Sequence, residues 1–191
     1  MAALACVLLA AGSSRRMRGA DKLLEPVDGM PLLRRQALAL LAAECGRVAV
    51  TLPPDRPARE AALEGLTLDR LSVPDALTGM SASLRAAARW AGNRTLMVVP
   101  ADMPELTAED FARVARACDG KTPLRATAED GTPGHPVVFP ATLLGSLADL
   151  HGDEGARSVL KAHPPALLAL PGRHAVTDLD TPEAWAAWRA R

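Results

Sequence analysis

The chain has 191 residues, 49% of them hydrophobic and 23% charged, a length and composition that predict one folded domain over residues 1–191 and exclude an intrinsically disordered chain. Its 22 basic and 22 acidic residues cancel, which excludes the global positive field of a nucleic-acid or anionic-membrane binder. The absence of Tyr and the scarcity of other aromatic residues leave few side chains on which nucleic-acid bases could stack.

Short apolar runs alternate with amphipathic stretches along the whole chain. The apolar runs predict strands over residues 4–9, 47–52, 68–73, 95–99 and 137–139. The amphipathic stretches predict helices over residues 31–45, 54–63, 79–92, 107–118, 154–162 and 182–189. This alternation is typical of an α/β, three-layer, Rossmann-like fold with a mostly parallel sheet. Ligands of such folds bind beyond the carboxyl ends of the strands, so functional residues are expected there.

Local signals refine three of these elements. A Thr-x-x-Asp pattern at Thr107 predicts a capping box at a helix start. Pro136 is expected to open the strand that follows it, because proline donates no ladder hydrogen bond. Thr181 is predicted to cap the last helix, with Trp185 and Trp188 facing inward.

The cysteines and the apolar segments bear on the cellular location of the protein. Cys6, Cys45 and Cys118 lie far apart without a CxxC pair, which is typical of reduced cysteines in a cytoplasmic protein. The apolar run that opens the chain has no positive segment before it, unlike a secretory signal, and no uncharged segment is long enough to cross a bilayer as a helix. We therefore predict a cytoplasmic protein with no membrane partner.

The segment that follows the first predicted strand, residues 9–22, combines small residues with basic ones. The small residues let the backbone bend and offer N–H groups to an anion, while Arg16 and Lys22 supply positive charge. The segment matches neither the GxxxxGK[ST] phosphate loop nor the GxGxxG dinucleotide pattern. A solvated basic turn is the alternative, but the position at a strand end favours a polyphosphate site.

Acidic residues follow the basic segment at two places. Asp102 comes directly after the predicted strand 95–99, and Asp178 and Asp180 would point to one side of an extended chain. Together the three carboxylates predict a Mg²⁺ site, because hard oxygen ligands suit that ion. Turn formation and helix capping are the alternatives for all three.

Three further segments are candidates for substrate contacts. Gly79 and Ser81 open a helix with free N–H groups and a hydroxyl that could bind an anion or a ribose. His135 lies at the mouth of a strand without an HxxxH or Cys partner, so a zinc site is not expected. Residues 152–157 combine a flexible turn, two acids and an arginine, with a simple loop-to-helix junction as the alternative.

Several motifs, in order and spread over nearly the whole chain, resemble those of the nucleotidyltransferases of the molybdenum-cofactor type. They are LAAGSSRRM from residue 9, DK at 21, GMPLL at 29, GMSASL at 79, PADMP at 100, GHPVVF at 134, GDEGAR at 152 and DLDTPEAW at 178. Arg18 departs from the glycine usual in that family. The resemblance implies an enzyme that uses a nucleoside triphosphate and Mg²⁺ to attach a nucleotide to the terminal phosphate of molybdopterin. It also implies a recipient molybdoenzyme or its chaperone as a partner.

The same resemblance implies roles for individual residues. The catalytic residues would be Arg16, Lys22 and Asp102. The nucleotide would contact Leu9, Ala10, Ala11, Gly12, Ser14, Arg16, Lys22, Gly79 and Ser81. The acceptor would contact His135, Gly152, Asp153 and Arg157. The metal ion would bind to Asp102 with Asp178 or Asp180.

Ala11 bears on the choice of nucleobase. The cytidylyl branch of the family resembles LAAG here, whereas guanylyl members usually have a second glycine, so CTP is predicted. A methyl group beside the base would also favour the smaller pyrimidine. The alternatives are a guanylyltransferase, another nucleotidyltransferase for small phosphates, and a non-catalytic protein that binds the nucleotide or the cofactor.

Overall fold

A computed structural model describes residues 4–152 and 155–191 and shows a seven-stranded sheet with helices on both faces. The strands are β1 (Leu4–Leu9), β2 (Pro26–Val27), β3 (Met30–Pro31), β4 (Gly46–Leu52), β5 (Asp69–Ser72), β6 (Leu96–Pro100), β7 (Leu124–Thr127), β8 (Pro133–Phe139) and β9 (Ala166–Ala169). Strands β2 and β3 form a small hairpin, and the other seven strands have the order β5-β4-β1-β6-β8-β7-β9. Four of their six pairings are parallel, which confirms the predicted α/β class.

Strand β1 is an interior strand of the sheet and is buried on both faces. It pairs in parallel with β4 on one side and with β6 on the other. Leu4, Cys6 and Leu8 pack into the core on one face, while Ala5 and Val7 pack on the opposite face. A continuous apolar run is what a strand buried on both faces requires, so the run 4–9 was sufficient to predict it.

The described residues form seven helices. They are α1 (Leu32–Ala42), α2 (Pro57–Ala62), α3 (Met80–Ala91), α4 (Ala108–Ala117), α5 (Leu144–Ala148), α6 (Arg157–Ala162) and α7 (Pro182–Arg189). Helices α1 and α4 bury apolar side chains on the face of the sheet that carries Leu8. Helices α3, α5 and α6 do so on the face that carries Val7. The two helical layers enclose the sheet and make the three-layer arrangement that the sequence predicts.

The predicted helix caps are confirmed. The Thr107 hydroxyl accepts a hydrogen bond from the backbone N–H of Asp110, and the Asp110 carboxylate accepts one from the backbone N–H of Thr107. The Thr181 hydroxyl caps α7 by accepting a hydrogen bond from the backbone N–H of Ala184. Trp185 is buried and Trp188 is partly buried, and their rings meet edge to face. Both inward-facing tryptophans were therefore predicted correctly.

Sequence reasoning missed several short elements and misplaced one proline. The strands β7 and β9, the helix α5 and the β2–β3 hairpin were not predicted, because runs of two to five residues carry too little periodicity. Pro136 does not open its strand: β8 begins at Pro133. Pro136 lies where the β7–β8 register is irregular, a place where a missing N–H donor is tolerated.

All three cysteines are free thiols, as the sequence predicts. Cys6 is buried and reduced, and burial raises the pKa of its thiol to about 12. Cys45 and Cys118 are partly buried and also reduced. Within residues 4–152 and 155–191, no helix is long and apolar enough to cross a membrane.

Candidate active site

A polar cleft lies beyond the carboxyl ends of β1 and β6. Strand β1 pairs with β6 on one side and with β4 on the other, and the chain continues from β1 to β4 before it returns to form β6. The strand order therefore reverses between β1 and β6, and the cleft lies at this topological switch point. Its walls are the loop after β1, the start of α3 and the acidic segments after β6 and before α7. The residues that line it are Leu9, Ala11, Gly12, Ser13, Ser14, Arg15, Arg16, Lys22, Leu23, Ala76, Leu77, Gly79, Met80, Ser83, Pro100, Asp102 and Asp180.

The loop after β1 has an unusual backbone. Ser14 and Arg18 both adopt the left-handed conformation, with φ of 53° and 52°, on either side of a short 3-10 turn. Left-handed backbone is uncommon for residues other than glycine, so neighbouring contacts must hold it. Met17 anchors the turn by packing against Leu32 and Leu179 in a small apolar cluster. The basic side chains of the turn are thereby left at the rim of the cleft.

Arg59, from α2, holds this loop from behind. Its side chain is fully buried, an environment in which a guanidinium group needs a partner for every donor. It donates to the carbonyl oxygens of Ala10 and Gly12 at 2.5 and 2.8 Å, to the Ser14 hydroxyl at 3.0 Å, and to both carboxylate oxygens of Asp21 at 2.8 and 2.9 Å. These contacts hold the pKa of Asp21 below its ordinary value, although burial acts to raise it. Sequence reasoning did not single out Arg59, since one arginine on a weakly predicted helix carries no motif.

Lys22 sits between two carboxylates on the floor of the cleft. Its ammonium group pairs with Asp102 and lies 2.6 Å from Oδ1 of Asp180, whose Oδ2 lies 2.7 Å from a guanidinium nitrogen of Arg16. Burial acts to lower the pKa of Lys22, but the two carboxylates act to raise it, and the pKa is raised overall. Two positive and two negative side chains therefore form one network across the cleft. Sequence separation of up to 164 residues hides this network from any local pattern.

The segment 178–180 is fixed beside Asp102 by its backbone. The N–H of Leu179 donates to the carbonyl oxygen of Asp102 at 3.2 Å, and the Leu179 side chain is buried. Asp178, next in the chain, is exposed, and its pKa is raised by partial burial and by the charges of Asp180 and Asp102. Asp180 faces Lys22, whereas Asp178 makes no ion pair within the described residues. Asp180 is thus the better placed of the two to act together with Asp102.

The carboxylates of Asp102 and Asp180 have the chemistry to bind a divalent metal ion, but they are too few to surround it. Their hard oxygen atoms converge on a single cation, the Lys22 ammonium, as a shared metal site requires. However, among residues 4–152 and 155–191, no group of three or more His, Cys, Asp or Glu side chains is arranged to hold a metal ion. A metal ion here would therefore take two protein carboxylates and complete its coordination with oxygens of a bound substrate.

A second polar group lies toward the antiparallel side of the sheet. His135 is half-buried, its buried Nδ1 has no hydrogen-bond partner in the described structure, and desolvation together with the charge of Arg125 lowers its pKa to about 4. Arg125 donates from Nε to the carbonyl oxygen of Gly134, and its own pKa is lowered by burial and by the nearby charge of Arg157. Two guanidinium groups close enough to repel each other, beside a neutral imidazole, favour the binding of an anion.

Comparison with known proteins now assigns the family. The model of the MobA-like NTP transferase domain matches residues 6–167. The chain belongs to this family. A molybdenum cofactor guanylyltransferase from Cereibacter sphaeroides is 32% identical over 182 residues, which are 93% of this chain and 91% of that protein.

Solved structures agree with this assignment. Rv0371c from Mycobacterium tuberculosis H37Rv superposes with a TM-score of 0.87 at 27% identity, covering 100% of this chain and 99% of that one. A structure of Rv0371c in complex with manganese superposes with a TM-score of 0.83 at 25% identity, with the same coverage. The transferase fold predicted from the sequence is thus confirmed over the whole chain.

Most of the residues predicted to contact the nucleotide line one cleft of this transferase, and two do not. The predicted residues at the cleft are Leu9, Ala11, Gly12, Ser14, Arg16, Lys22, Gly79, Asp102 and Asp180. Ser81 is fully buried, and its hydroxyl accepts a hydrogen bond from Arg85 within α3. Ala10 is also fully buried, with its carbonyl oxygen turned to Arg59. Neither residue lines the cleft, so their direct contact with a nucleotide stays a prediction; Ser83, two residues beyond Ser81, does line the cleft.

Three of the predicted acceptor residues, His135, Gly152 and Arg157, lie outside the lining of the cleft. The N–H of His135 donates to the carbonyl oxygen of Ala175, and the carbonyl oxygen of Gly152 accepts a hydrogen bond from the N–H of Ser81. Arg157 begins α6, close enough to lower the pKa of Arg125. Asp153 lies outside the described residues. The acceptor predictions therefore indicate a neighbouring region, to which Arg125 is an addition.

The position of Ala11 changes the steric argument for CTP. Its methyl group packs in a small cluster with Val73 and Ala82, and only 5% of the residue is exposed. A methyl group directed into the protein does not narrow the space beside a base by much. The physical reason for expecting a pyrimidine is therefore weak in this transferase, and the LAAG resemblance is what supports it.

Proposed function

We propose that this transferase moves a nucleotide from a nucleoside triphosphate to the terminal phosphate of a molybdopterin-type cofactor and releases pyrophosphate. The observation that carries the proposal is the network of Arg16, Lys22, Asp102 and Asp180 opposite a loop of small residues at the switch point of the sheet. Such a site offers cationic donors for phosphates and carboxylates for a metal ion in one place. The acceptor rests on the motif resemblance and on the printed name of the relative from Cereibacter sphaeroides.

The chemistry needs positioning and charge neutralisation more than proton transfer. An oxygen of the acceptor phosphate is already anionic, so it attacks the α-phosphorus directly, and the bond from that phosphorus to the departing pyrophosphate breaks. Arg16 and Lys22 stabilise the charge on the triphosphate, and N–H groups of the loop after β1 orient it. A divalent ion, when bound, neutralises further phosphate charge, and Asp102 with Asp180 would hold it.

Lys22 has two sets of partners in this scheme. Without substrate its ammonium group is held by Asp102 and Asp180. Asp102 and Asp180 would hold a divalent ion, which would leave the Lys22 ammonium group to bind the phosphate oxygens of a triphosphate. The exchange keeps the buried charges paired in both states, which matters because an unpaired buried charge is costly.

Two nucleobases have support from different observations. CTP is supported by Ala11 within LAAG and by the cytidylyl branch that this motif resembles. GTP is supported by the relative that is named a guanylyltransferase. Because the Ala11 methyl group is buried, its size does not decide between them. We regard CTP as the prediction of the sequence and GTP as the competing candidate.

The acceptor would approach from the side of His135, Arg125 and Arg157. These arginines suit the phosphate of a pterin cofactor, and the neutral imidazole of His135 can accept or donate a hydrogen bond without adding charge. A recipient molybdoenzyme or its chaperone would then take the product. A cytoplasmic location remains a prediction.

Pyrophosphate release measures the proposed reaction directly. The purified protein is incubated with each of the four triphosphates and Mg²⁺ or Mn²⁺, with and without molybdopterin, and a chelator serves as the metal control. Release that requires both molybdopterin and metal, with one preferred triphosphate, supports transfer. Tight binding of a triphosphate without turnover under every condition would instead indicate a non-catalytic binding protein. Equal or greater kcat/KM with GTP than with CTP would refute the CTP prediction.

A further inference from the structure

We propose that Arg59 is a positioning residue that shapes the loop 10–21 so that its backbone N–H groups face the phosphates of the substrate. The inference rests on the proposed function only in taking a polyphosphate as the ligand of the cleft. Arg59 itself is fully buried and does not line the cleft, so it acts through the loop and not by touching the nucleotide.

All five N–H donors of Arg59 are used on this one loop. Nε and one Nη2 hydrogen meet Asp21, the other Nη2 hydrogen meets Ser14, and the two Nη1 hydrogens meet the carbonyl oxygens of Ala10 and Gly12. A guanidinium group has five donors in a fixed plane, and here each has an acceptor. The side chain therefore joins the start, the middle and the end of the loop in one defined shape.

The two captured carbonyl groups determine where the neighbouring N–H groups point. In a trans peptide the C=O and the following N–H lie in one plane and point in opposite directions. Because the oxygens of Ala10 and Gly12 point at Arg59, the N–H groups of Ala11 and Ser13 point away from it. Neither N–H has a hydrogen-bond partner among the described residues. Both residues line the cleft, so these donors are available to a phosphate.

The same side chain connects the loop to the catalytic lysine. Asp21 binds Arg59 through both carboxylate oxygens, and Lys22 is the next residue in the chain. The Ser14 hydroxyl also donates to Asp21, at 3.2 Å, which secures the left-handed backbone at Ser14. Arg59 thus sets the distance between the anion-binding N–H groups and the Lys22 ammonium. We expect its loss to weaken the binding of polyphosphate even though no phosphate contact is removed.

The test compares Arg59→Lys with Arg34→Lys. Arg34 is a matched control because its guanidinium also donates to two backbone carbonyl oxygens, those of Ala62 and Glu64, but not to the loop. A lysine keeps the charge at 59 yet has three donors on a single nitrogen, so it cannot satisfy five acceptors. The probe is inorganic tripolyphosphate, which needs neither a base nor an acceptor. Binding is measured by calorimetry, and amide hydrogen exchange is followed over residues 9–22.

We expect Arg59→Lys to weaken tripolyphosphate binding about tenfold or more, which corresponds to about 1.4 kcal/mol, and to speed exchange in the loop. Arg34→Lys should bind within about twofold of the unchanged protein. Asp21→Asn, which keeps the shape of the side chain but removes the charge, should shift binding in the same direction by a smaller factor. It also serves as the second variant if Arg59→Lys does not fold.

Two results would overturn the proposal. One is that Arg59→Lys, or Asp21→Asn where the first does not fold, binds tripolyphosphate as tightly as Arg34→Lys. The other is that thermal stability falls while loop exchange and binding stay unchanged, as expected for a role in stability alone. If the unchanged protein binds tripolyphosphate but transfers no nucleotide, the proposed function fails and the inference on Arg59 still stands.

Discussion

Replacing Asp102 by Asn separates a role in metal-assisted transfer from a role in the fold. The substitution keeps the size and the turn-forming capacity of the side chain and removes one negative charge from the network around Lys22. The backbone hydrogen bond from Leu179 to the carbonyl oxygen of Asp102 is untouched. The Lys22 ammonium also keeps Asp180 as an ionic partner and can still donate to the new amide oxygen.

The expected magnitudes differ strongly between stability and activity. The Asp102 side chain is 14% exposed and that of Lys22 is 16% exposed, so this ion pair contributes more to the free energy of unfolding than a surface ion pair does. Because Asp180 remains, we expect Asp102→Asn to cost about 1 kcal/mol of unfolding free energy, or about 2–4 °C in Tm. Transfer should fall about a hundredfold or more, equivalent to at least about 2.7 kcal/mol in the barrier, since a charge that is preorganised for the transition state is lost.

The assay is pyrophosphate release at several metal concentrations, with Tm measured in parallel without metal. Asp28→Asn is the control, because Asp28 forms an ion pair with Arg35 but is 71% exposed and does not line the cleft. It should leave both the rate and the Tm nearly unchanged. Transfer by Asp102→Asn within about threefold of the unchanged protein at low metal concentration would refute the reasoning. Asp102 would then be structural, and the metal site would have to be built elsewhere.

Three other predictions follow from the same geometry. Lys22→Ala should weaken triphosphate binding at least about tenfold, by the loss of a charge-assisted contact of about 1.5–3 kcal/mol, and isothermal calorimetry would contradict this if the affinity stayed within about twofold. Gly134→Ala should destabilise the protein strongly in thermal unfolding, because a Cβ there would lie 1.8 Å from the carbonyl oxygen of Ala175. Gly12→Ala is the control: no atom lies within 4 Å of its Cβ, so it should keep the Tm and affect only nucleotide binding. Equal Tm values for the two variants would contradict the prediction. The pKa of His135 is about 4 in the folded protein and about 6.5 in the unfolded chain, so between these pH values only the unfolded state binds the proton. The free energy of unfolding therefore decreases as the pH falls through this window, by about 3 kcal/mol at pH 4. His135→Gln should flatten the dependence of unfolding free energy on pH in that window, as followed by denaturant titration, and an unchanged slope would contradict the prediction.

Local patterns were enough to predict the fold class and the position of the cleft. The apolar run of β1, the capping box at Thr107 and the cap at Thr181 are contained in a few neighbouring residues, and the structure confirms all three. Strand ends followed by small, basic or acidic residues then indicated where the cleft lies, because parallel strands direct their carboxyl ends to one edge. The short elements β7, β9 and α5 escaped prediction, since their conformation depends on neighbours that are distant in the sequence.

The sequence by itself determined which side chains are present at the cleft, namely Arg16, Lys22, Asp102 and Asp180, and the family to which they belong. Only the tertiary structure decided how they act together, with Lys22 shared by two carboxylates that lie 80 and 158 residues away. It alone revealed Arg59, whose five hydrogen bonds cross from α2 to a loop about 40 residues earlier. The physical reason is that burial decides what a charged or small side chain does. A guanidinium group without water must bind whatever acceptors the fold brings to it, and packing buries the Ser81 side chain and the Ala11 methyl group in the protein interior.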